Sequence, residues 1–110
     1  PATKETKHII NKDTIKYFPD GAVVSNSARG DMIDDNSMVE ALKSGKIFSL
    51  GLDVYNGEPD INPEYLNLPN VFVLPHLGSS TIKTRTAMAN LAIKNIEEFF
   101  NTGKSKNKVN

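Results

Sequence analysis

The chain has 110 residues, no cysteine, and 13 basic and 13 acidic side chains that give it zero formal net charge at neutral pH. Its length allows one domain at most, and its neutral balance provides no charged surface for nucleic acid or for a membrane. Disulfides and thiolate metal sites are excluded, and no apolar run approaches the length of a membrane span. We therefore expect a cytoplasmic domain with neither nucleic acid nor a membrane as partner.

The first predicted helix and the first predicted strand both precede Arg29. Asn11 is a candidate N-cap for a short helix that runs through Phe18 and that Pro19-Asp20-Gly21 stops. A strand opens at Ala22-Val23-Val24, and its neighbours are small rather than alternately polar. Apolar strands without alternation usually lie in parallel sheets that are covered on both faces. We therefore expect a buried parallel strand here.

A second helix is predicted between two end signals. Asp34 or Asp35 is its candidate N-cap, and Gly45 lies just past its end. Lys43 falls in the last turn, where a positive charge interacts favourably with the helix dipole. The apolar face of this helix consists of Met38, Val39 and Leu42. These signals predict an amphipathic helix that packs on a sheet.

The rest of the chain alternates strands with helices. The second and third strands are expected at residues 47–54 and 71–74, with a short helix between them that starts at Asn62-Pro63-Glu64. A long helix then covers residues 80–101, where apolar side chains recur at helical spacing, and Gly103 ends it. The alternation predicts an α/β fold with right-handed crossovers between parallel strands.

Three side chains with catalytic chemistry stand just past the ends of apolar runs: Arg29, Glu58 and His76. Ligands of open α/β sheets collect at the carboxyl ends of the strands, where these residues are expected. A guanidinium can hold a carboxylate through two hydrogen bonds, and an imidazole beside a carboxylate can give a proton to an oxygen near neutral pH. Together they suit the reduction of a carbonyl next to a carboxylate. Taken singly, each has a commoner alternative as a turn Arg, a loop Glu or a structural His.

Two further ionisable residues have a structural interpretation. Asp53 falls within the apolar segment Leu50-Gly51-Leu52-Asp53-Val54, so an ionised carboxylate there must find a partner. His8 lies in a polar stretch and is interpreted as a structural histidine. No metal site is expected, because these groups lack tight ligand spacing. The chain also has no Gly-x-Gly pair, and so no glycine turn for the phosphates of a dinucleotide.

Taken together, these segments resemble the D-isomer-specific 2-hydroxyacid dehydrogenases. The similarity covers nearly the whole chain, and residues 1–11 resemble a loop that follows a mid-sheet strand in that family. The signatures that carry it occur in the family's order: Asn26-Ser27-Ala28-Arg29-Gly30, Gly51-Leu52-Asp53-Val54, Glu58-Pro59 and Pro75-His76-Leu77-Gly78-Ser79. The resemblance implies a partial Rossmann-type domain, with a doubly wound parallel sheet that binds NAD or NADP, and a long C-terminal helix. Glu58 is unlike the Gln of formate dehydrogenases, and we expect the branch of glyoxylate and hydroxypyruvate reductases.

The resemblance also implies a role for each matching residue. Arg29 would bind the substrate carboxylate and polarise its keto group. His76 would protonate the carbonyl oxygen, with Glu58 as its partner. The residues that would line the nicotinamide end of the cofactor are Ala28, Arg29, Asp53, His76 and Gly78. The substrate would be a small 2-keto acid, or the corresponding 2-hydroxy acid in the reverse direction.

Members of this family are much longer, and the chain corresponds to their C-terminal third. We expect residues 1–80 to be the C-terminal half of the dinucleotide-binding domain, residues 81–103 the helix that returns to the substrate domain, and residues 104–110 a disordered tail. The start without methionine fits a piece of a longer protein. The expected partner is therefore the missing N-terminal part, without which the chain is expected to be inactive. A homodimer is a further candidate.

The alternative belongs to another functional class. The chain could be a non-catalytic remnant, or a module of the same fold that binds a partner or dimerises with NAD. The absent glycine turn favours this alternative, and so does an apolar helix face that needs another surface to cover it, with Ile96, Phe99 and Phe100. Cofactor binding by the chain alone would discriminate between the two.

Overall fold

The computed structural model describes residues 2–109. Pro1 and Asn110 lie outside the described residues, and so do the predictions made for these two positions. The chain divides into two compact units, of which one ends at Gly78 and the other begins at Ser79. The helices and strands, in chain order, are α1 Lys12–Ile15, β1 Ala22–Asn26, α2 Asp35–Ser44, β2 Ile47–Leu52, α3 Pro63–Leu66, β3 Val71–Val73 and α4 Ile82–Thr102.

The three strands form one parallel sheet in the order β1-β2-β3. Asn26 is level with Leu52, and Leu52 with Val73, so the carboxyl ends of the strands lie along the same edge. This arrangement confirms the predicted parallel α/β fold. It also places the segments that follow the three strands next to one another.

Within the unit that ends at Gly78, the helices cover one face of the sheet and leave the other uncovered. The covered face packs against α1, α2 and α3 in a core with Ile15, Val24, Met38, Leu42, Ile47, Leu50, Leu52 and Tyr65. On the sheet, Val23 is 71%, Phe48 67% and Phe72 66% exposed. Within this unit the elements cover one face, because both strand connections place their helices against the same core, and the predicted cover of the second face stays a prediction.

The predicted helix ends are largely confirmed. Asn11, Asp34 and Asn62 each accept a hydrogen bond from a backbone N–H of the helix that follows. The hydrogen bond from the Ser37 hydroxyl is the main reason why the pKa of Asp34 lies below its ordinary value. Gly45 has a φ of +79° and ends α2, as its position predicts.

Three elements are shorter than predicted, β3 by the single residue Leu74. α1 ends at Ile15 rather than Phe18, because the following residues form tighter turns in which Phe18 N donates to the carbonyl oxygen of Ile15. β2 ends at Leu52 rather than Val54, because Leu52 is level with Asn26, the last residue of β1.

The second unit consists of α4 and the tail. Thr81 caps the helix and Gly103, with a φ of +69°, ends it, which confirms the predicted long helix within two residues. Hydrogen bonds join the tail to α4, from Lys106 N to Glu98 Oε2 and from Asn107 Nδ2 to Asn95 Oδ1, and disorder of residues 104–110 stays a prediction. Between residues 2 and 109, no helix combines the length and the apolar character needed to cross a membrane.

Candidate active site

The sheet edge at the carboxyl ends of the strands carries the residues singled out in the sequence. Arg29 lies three residues after the end of β1, and Asp53 directly follows β2. His76 lies three residues after the end of β3. Glu58 lies in the loop after β2 and reaches the same edge through its side chain, as its contacts demonstrate.

His76 and Glu58 form a direct side-chain pair. The distance between His76 Nδ1 and Glu58 Oε2 is 2.7 Å, and Glu58 Oε1 accepts a hydrogen bond from Tyr55 N at 3.0 Å. The hydrogen bond with His76, followed by that from Tyr55, holds the pKa of Glu58 below its ordinary value. An ionised carboxylate can only accept, so Nδ1 carries the hydrogen and donates it. Nε2 is then the ring atom left for another partner.

The turn that carries His76 is held by Asp53. His76 has a φ of +53°, in the left-handed region that residues other than glycine seldom adopt. Asp53 Oδ1 accepts from Leu77 N at 2.6 Å and Oδ2 accepts from Gly78 N at 2.8 Å. These bonds give the Asp53 carboxylate the partners that its position in the sequence requires. They also restrain the backbone that directly follows His76.

Arg29 lies at the same edge, but its side chain is turned to the backbone. Arg29 Nη1 donates to the carbonyl oxygen of Ala28 at 2.7 Å. Within residues 2–109, no hydrogen bond or ion pair joins the guanidinium to Glu58 or His76. The structure therefore brings Glu58 and His76 together and leaves Arg29 on the same edge without direct contact.

The turn of Arg29 packs closely on the loop of Glu58. A Cβ atom at Gly30 would lie 2.1 Å from the carbonyl carbon of Tyr55 and 2.5 Å from Asn56 N, so the two backbones touch where Gly30 has no side chain. Tyr55 is also the residue whose N–H binds Glu58. Through this contact, the backbone of the Arg29 turn and the backbone of the Glu58 loop constrain each other.

Asn26 is a polar residue of the site to which the sequence reasoning gave no role. It is only 7% exposed. Its Nδ2 donates to the carbonyl oxygen of Arg29 at 2.8 Å, and its Oδ1 accepts from Ala28 N at 3.1 Å. The sequence signal that could have identified Asn26 is a carboxamide at the end of an apolar strand, because a buried amide needs hydrogen-bond partners.

The loop of Glu58 is also tied to the start of α2. Asn56 Nδ2 donates to the carbonyl oxygen of Ile33 at 3.1 Å and to Asp35 Oδ2 at 3.3 Å. The buried Tyr65 hydroxyl donates to Asp35 Oδ1 at 3.0 Å. Burial, and secondarily the charge of Asp35, raises the pKa of Tyr65. No local pattern predicts these contacts, since their partners are more than 20 residues apart.

Beside the pair lies a cleft of about 400 Å³ that could accept a flat ring. Of the residues predicted to contact the cofactor, Asp53 and Gly78 line this cleft, whereas Ala28, Arg29 and His76 do not. Small side chains leave the cleft open at Ser25, Ser27 and Gly51. No cluster of three or more potential metal ligands occurs among the described residues, and the second histidine, His8, lies 3.8 Å from Asp34.

We expect the Glu58 carboxyl group to titrate below pH 4.5, its ordinary value, because its ionised form accepts hydrogen bonds from His76 and Tyr55. Since the folded pKa is lower than that of the unfolded chain, Glu58 stabilises the fold above pH 4.5 and loses this contribution as the pH falls through the folded pKa. A ¹³C NMR titration measures the midpoint, and His76→Ala should move it upward. A midpoint at or above 4.5, or one unaffected by His76→Ala, would contradict this account.

A family model described as the D-isomer specific 2-hydroxyacid dehydrogenase, NAD binding domain, matches residues 1–78. Glycerate dehydrogenase from Hyphomicrobium methylovorum is 46% identical over 100 residues, which are 91% of this chain and 31% of that protein. Glyoxylate reductase 1 from Saccharomyces cerevisiae is 44% identical over 94% of this chain and 30% of its own length.

A solved structure has the same fold over nearly the whole chain. It is the NADPH-dependent glyoxylate/hydroxypyruvate reductase from Sinorhizobium meliloti in complex with NADP and malonate, with a TM-score of 0.92 and 36% sequence identity. The match covers 96% of this chain and 33% of that one. The chain thus spans about a third of the length of the relatives it matches. These matches confirm the predicted Rossmann-type fold.

Proposed function

Because the chain belongs to the D-isomer specific 2-hydroxyacid dehydrogenases, within their NAD-binding domain, we propose that it carries the catalytic side chains of a 2-keto acid reductase. The substrate would be a small acid of the glyoxylate or hydroxypyruvate kind, and the product a D-2-hydroxy acid. The single observation that carries the proposal is the 2.7 Å contact between His76 and Glu58 at the carboxyl edge of the sheet.

In this proposal His76 is the general acid. Its Nδ1–H is directed to Glu58, so Nε2 of the imidazolium gives the proton to the carbonyl oxygen of the substrate as that oxygen gains negative charge. The ionised Glu58 stabilises the cation before the transfer and fixes the orientation of the ring. Both effects require the two side chains to stay in contact.

Arg29 binds the substrate carboxylate in this proposal. A guanidinium forms two parallel hydrogen bonds with a carboxylate, and this geometry would orient the neighbouring carbonyl toward His76. In the structure Arg29 is held by one neutral acceptor, the carbonyl oxygen of Ala28. A carboxylate is a stronger acceptor than a backbone carbonyl, so the exchange of partners is favourable once substrate is present.

The cofactor of the proposal is NAD or NADP. A bound reduced nicotinamide would supply the hydride, and the cleft beside Asp53 has the small side chains that such a flat ring needs. Asp53 and Gly78 would contact the ring from one side. Ala28, Arg29 and His76 would face it from the rim of the sheet. The chain has no Gly-x-Gly turn, so the phosphates would be held by the part of the enzyme that its longer relatives possess.

A chimera tests the proposal directly. In it, this chain replaces the matching segment of the Saccharomyces cerevisiae relative, which supplies the remaining two thirds. We expect the chimera to oxidise NADH or NADPH when glyoxylate or hydroxypyruvate is added, and the relative without this segment to be inactive. A folded chimera that binds the cofactor but reduces neither acid would refute the proposal.

A second candidate function is a non-catalytic module that associates through an apolar surface, alone or with NAD. The observation in its favour is the exposure of Ile96, Phe99 and Phe100 on α4. Calorimetry and sedimentation on the chain alone discriminate: self-association without NADH binding would favour this candidate, whereas tight NADH binding without self-association would count against it. The homodimer and the missing N-terminal part remain predicted partners.

A further inference from the structure

We propose that Asn26 is a positioning residue that sets the turn of Arg29 relative to His76. This inference rests on the proposed function, since it concerns how Arg29 and His76 together hold a keto acid. Asn26 would touch neither substrate nor cofactor. It would act through the backbone that carries the guanidinium.

Both polar atoms of the Asn26 side chain are used on the turn of Arg29. One end donates to the carbonyl oxygen of Arg29, and the other accepts from Ala28 N. A carboxamide is the smallest side chain that offers a donor and an acceptor in this way. Because Asn26 is buried, water cannot replace either bond at no cost. The turn is therefore fixed on both sides of the residue that would bind substrate.

The backbone of Asn26 links this turn to the one that carries His76. Asp53 N donates to the carbonyl oxygen of Asn26 at 2.9 Å. The carboxylate of Asp53 in turn accepts from Leu77 N and Gly78 N. Asn26 is thus the residue at which the hydrogen bonds behind Arg29 and those behind His76 meet.

The link through Asn26 matters because the substrate determines how far the Arg29 guanidinium must lie from the His76 imidazole. In a 2-keto acid the carboxylate and the carbonyl oxygen sit on adjacent carbon atoms, so the guanidinium and the imidazole must be correctly spaced at the same time. Small misplacements of groups that hold a substrate cost large factors in rate or affinity. Loss of the Asn26 side chain should loosen the turn that carries Arg29 and leave the turn that carries His76 in place.

Steady-state kinetics of the chimera provide the first test. We expect Asn26→Ala to raise the KM for glyoxylate about tenfold, with the KM for NADH changed less than about twofold. Asn26→Asp keeps the acceptor but loses the donor, and should also raise the KM for glyoxylate. The matched control is Asn70→Ala, which removes a 2.9 Å bond from Asn70 Nδ2 to the carbonyl oxygen of Phe48 before β3. If Asn26→Ala changes the glyoxylate KM no more than this control does, the inference is wrong.

Hydrogen exchange on the 110-residue chain provides a second test that needs no activity. Asn26→Ala should accelerate exchange of the Ala28 amide about tenfold, whereas Asn26→Asp should leave it slow, and neither should affect Leu77 or Gly78. Equal acceleration at all of these amides would mean a general loss of stability and would overturn the inference. If the unsubstituted chimera is inactive, the proposed function fails, while the exchange pattern still decides whether Asn26 holds the turn.

Discussion

His76→Ala is expected to lower the kcat of the chimera for glyoxylate by two to four orders of magnitude, the usual contribution of a positioned general acid. The loss should fall on the chemical step, because the imidazole is proposed to give its proton only as the carbonyl oxygen becomes negative. Binding of NADH should change far less than kcat, because Asp53 and Gly78, which line the cleft of about 400 Å³, keep their positions in this variant. Stopped-flow measurement of NADH oxidation separates the two effects.

The matched control is the other histidine of the chain. His8 also has a positive φ, of +51°, and its ring lies near an aspartate, Asp34, at 3.8 Å. His8→Ala should therefore reproduce the loss of a histidine in the same backbone conformation, and kcat should stay within a few-fold of the unsubstituted chimera. A His76→Ala chimera that reduces glyoxylate at the unsubstituted rate would remove His76 from the mechanism.

Gly30→Ala is expected to destabilise the chain by about 3 kcal/mol. The new methyl group would lie 2.1 Å from a backbone carbon of Tyr55, and a backbone atom cannot move aside as a flexible side chain can. The turn of Arg29 and the loop of Glu58 would have to separate, so binding of a keto acid should suffer as well. Urea unfolding of the chain measures the loss of stability.

Gly51→Ala is the control for this substitution. Gly51 lies on β2, and its added methyl group would meet only Ser25 Oγ, at 3.6 Å, an ordinary contact distance. Its effect should stay within about 1 kcal/mol. Equal stabilities of the two variants would show that the close approach at Gly30 does not hold the two loops together.

Local signals were sufficient to predict the helices. The caps Asn11, Asp34 and Asn62 and the left-handed Gly45 each act on residues within one turn, and each was predicted from its neighbours in the sequence. The parallel strands were recognisable for the same reason, as short apolar runs separated by helical segments. Their ends were less predictable, because β2 stops where its neighbour β1 stops.

The contacts between loops could not be predicted from such signals. Glu58 and His76 are 18 residues apart; the ends of the apolar runs placed both at one sheet edge, and the family resemblance made them partners. The approach of Gly30 to Tyr55 and the two bonds of Asn26 depend on how β1 and β2 align, which no residue spacing encodes. The cover of the second sheet face stays a prediction, because the apolar pattern of a strand reflects the packing of a complete domain.

In the proposed function, Arg29 and His76 hold the two ends of one keto acid. A crystal structure of the chimera with NAD and oxalate, an unreactive mimic of glyoxylate, tests it most directly. We expect one carboxylate of oxalate on the Arg29 guanidinium, released from the carbonyl oxygen of Ala28, and the other within hydrogen-bond distance of His76 Nε2. Oxalate bound elsewhere, with Arg29 still on Ala28 and His76 Nε2 without a ligand, would contradict the account.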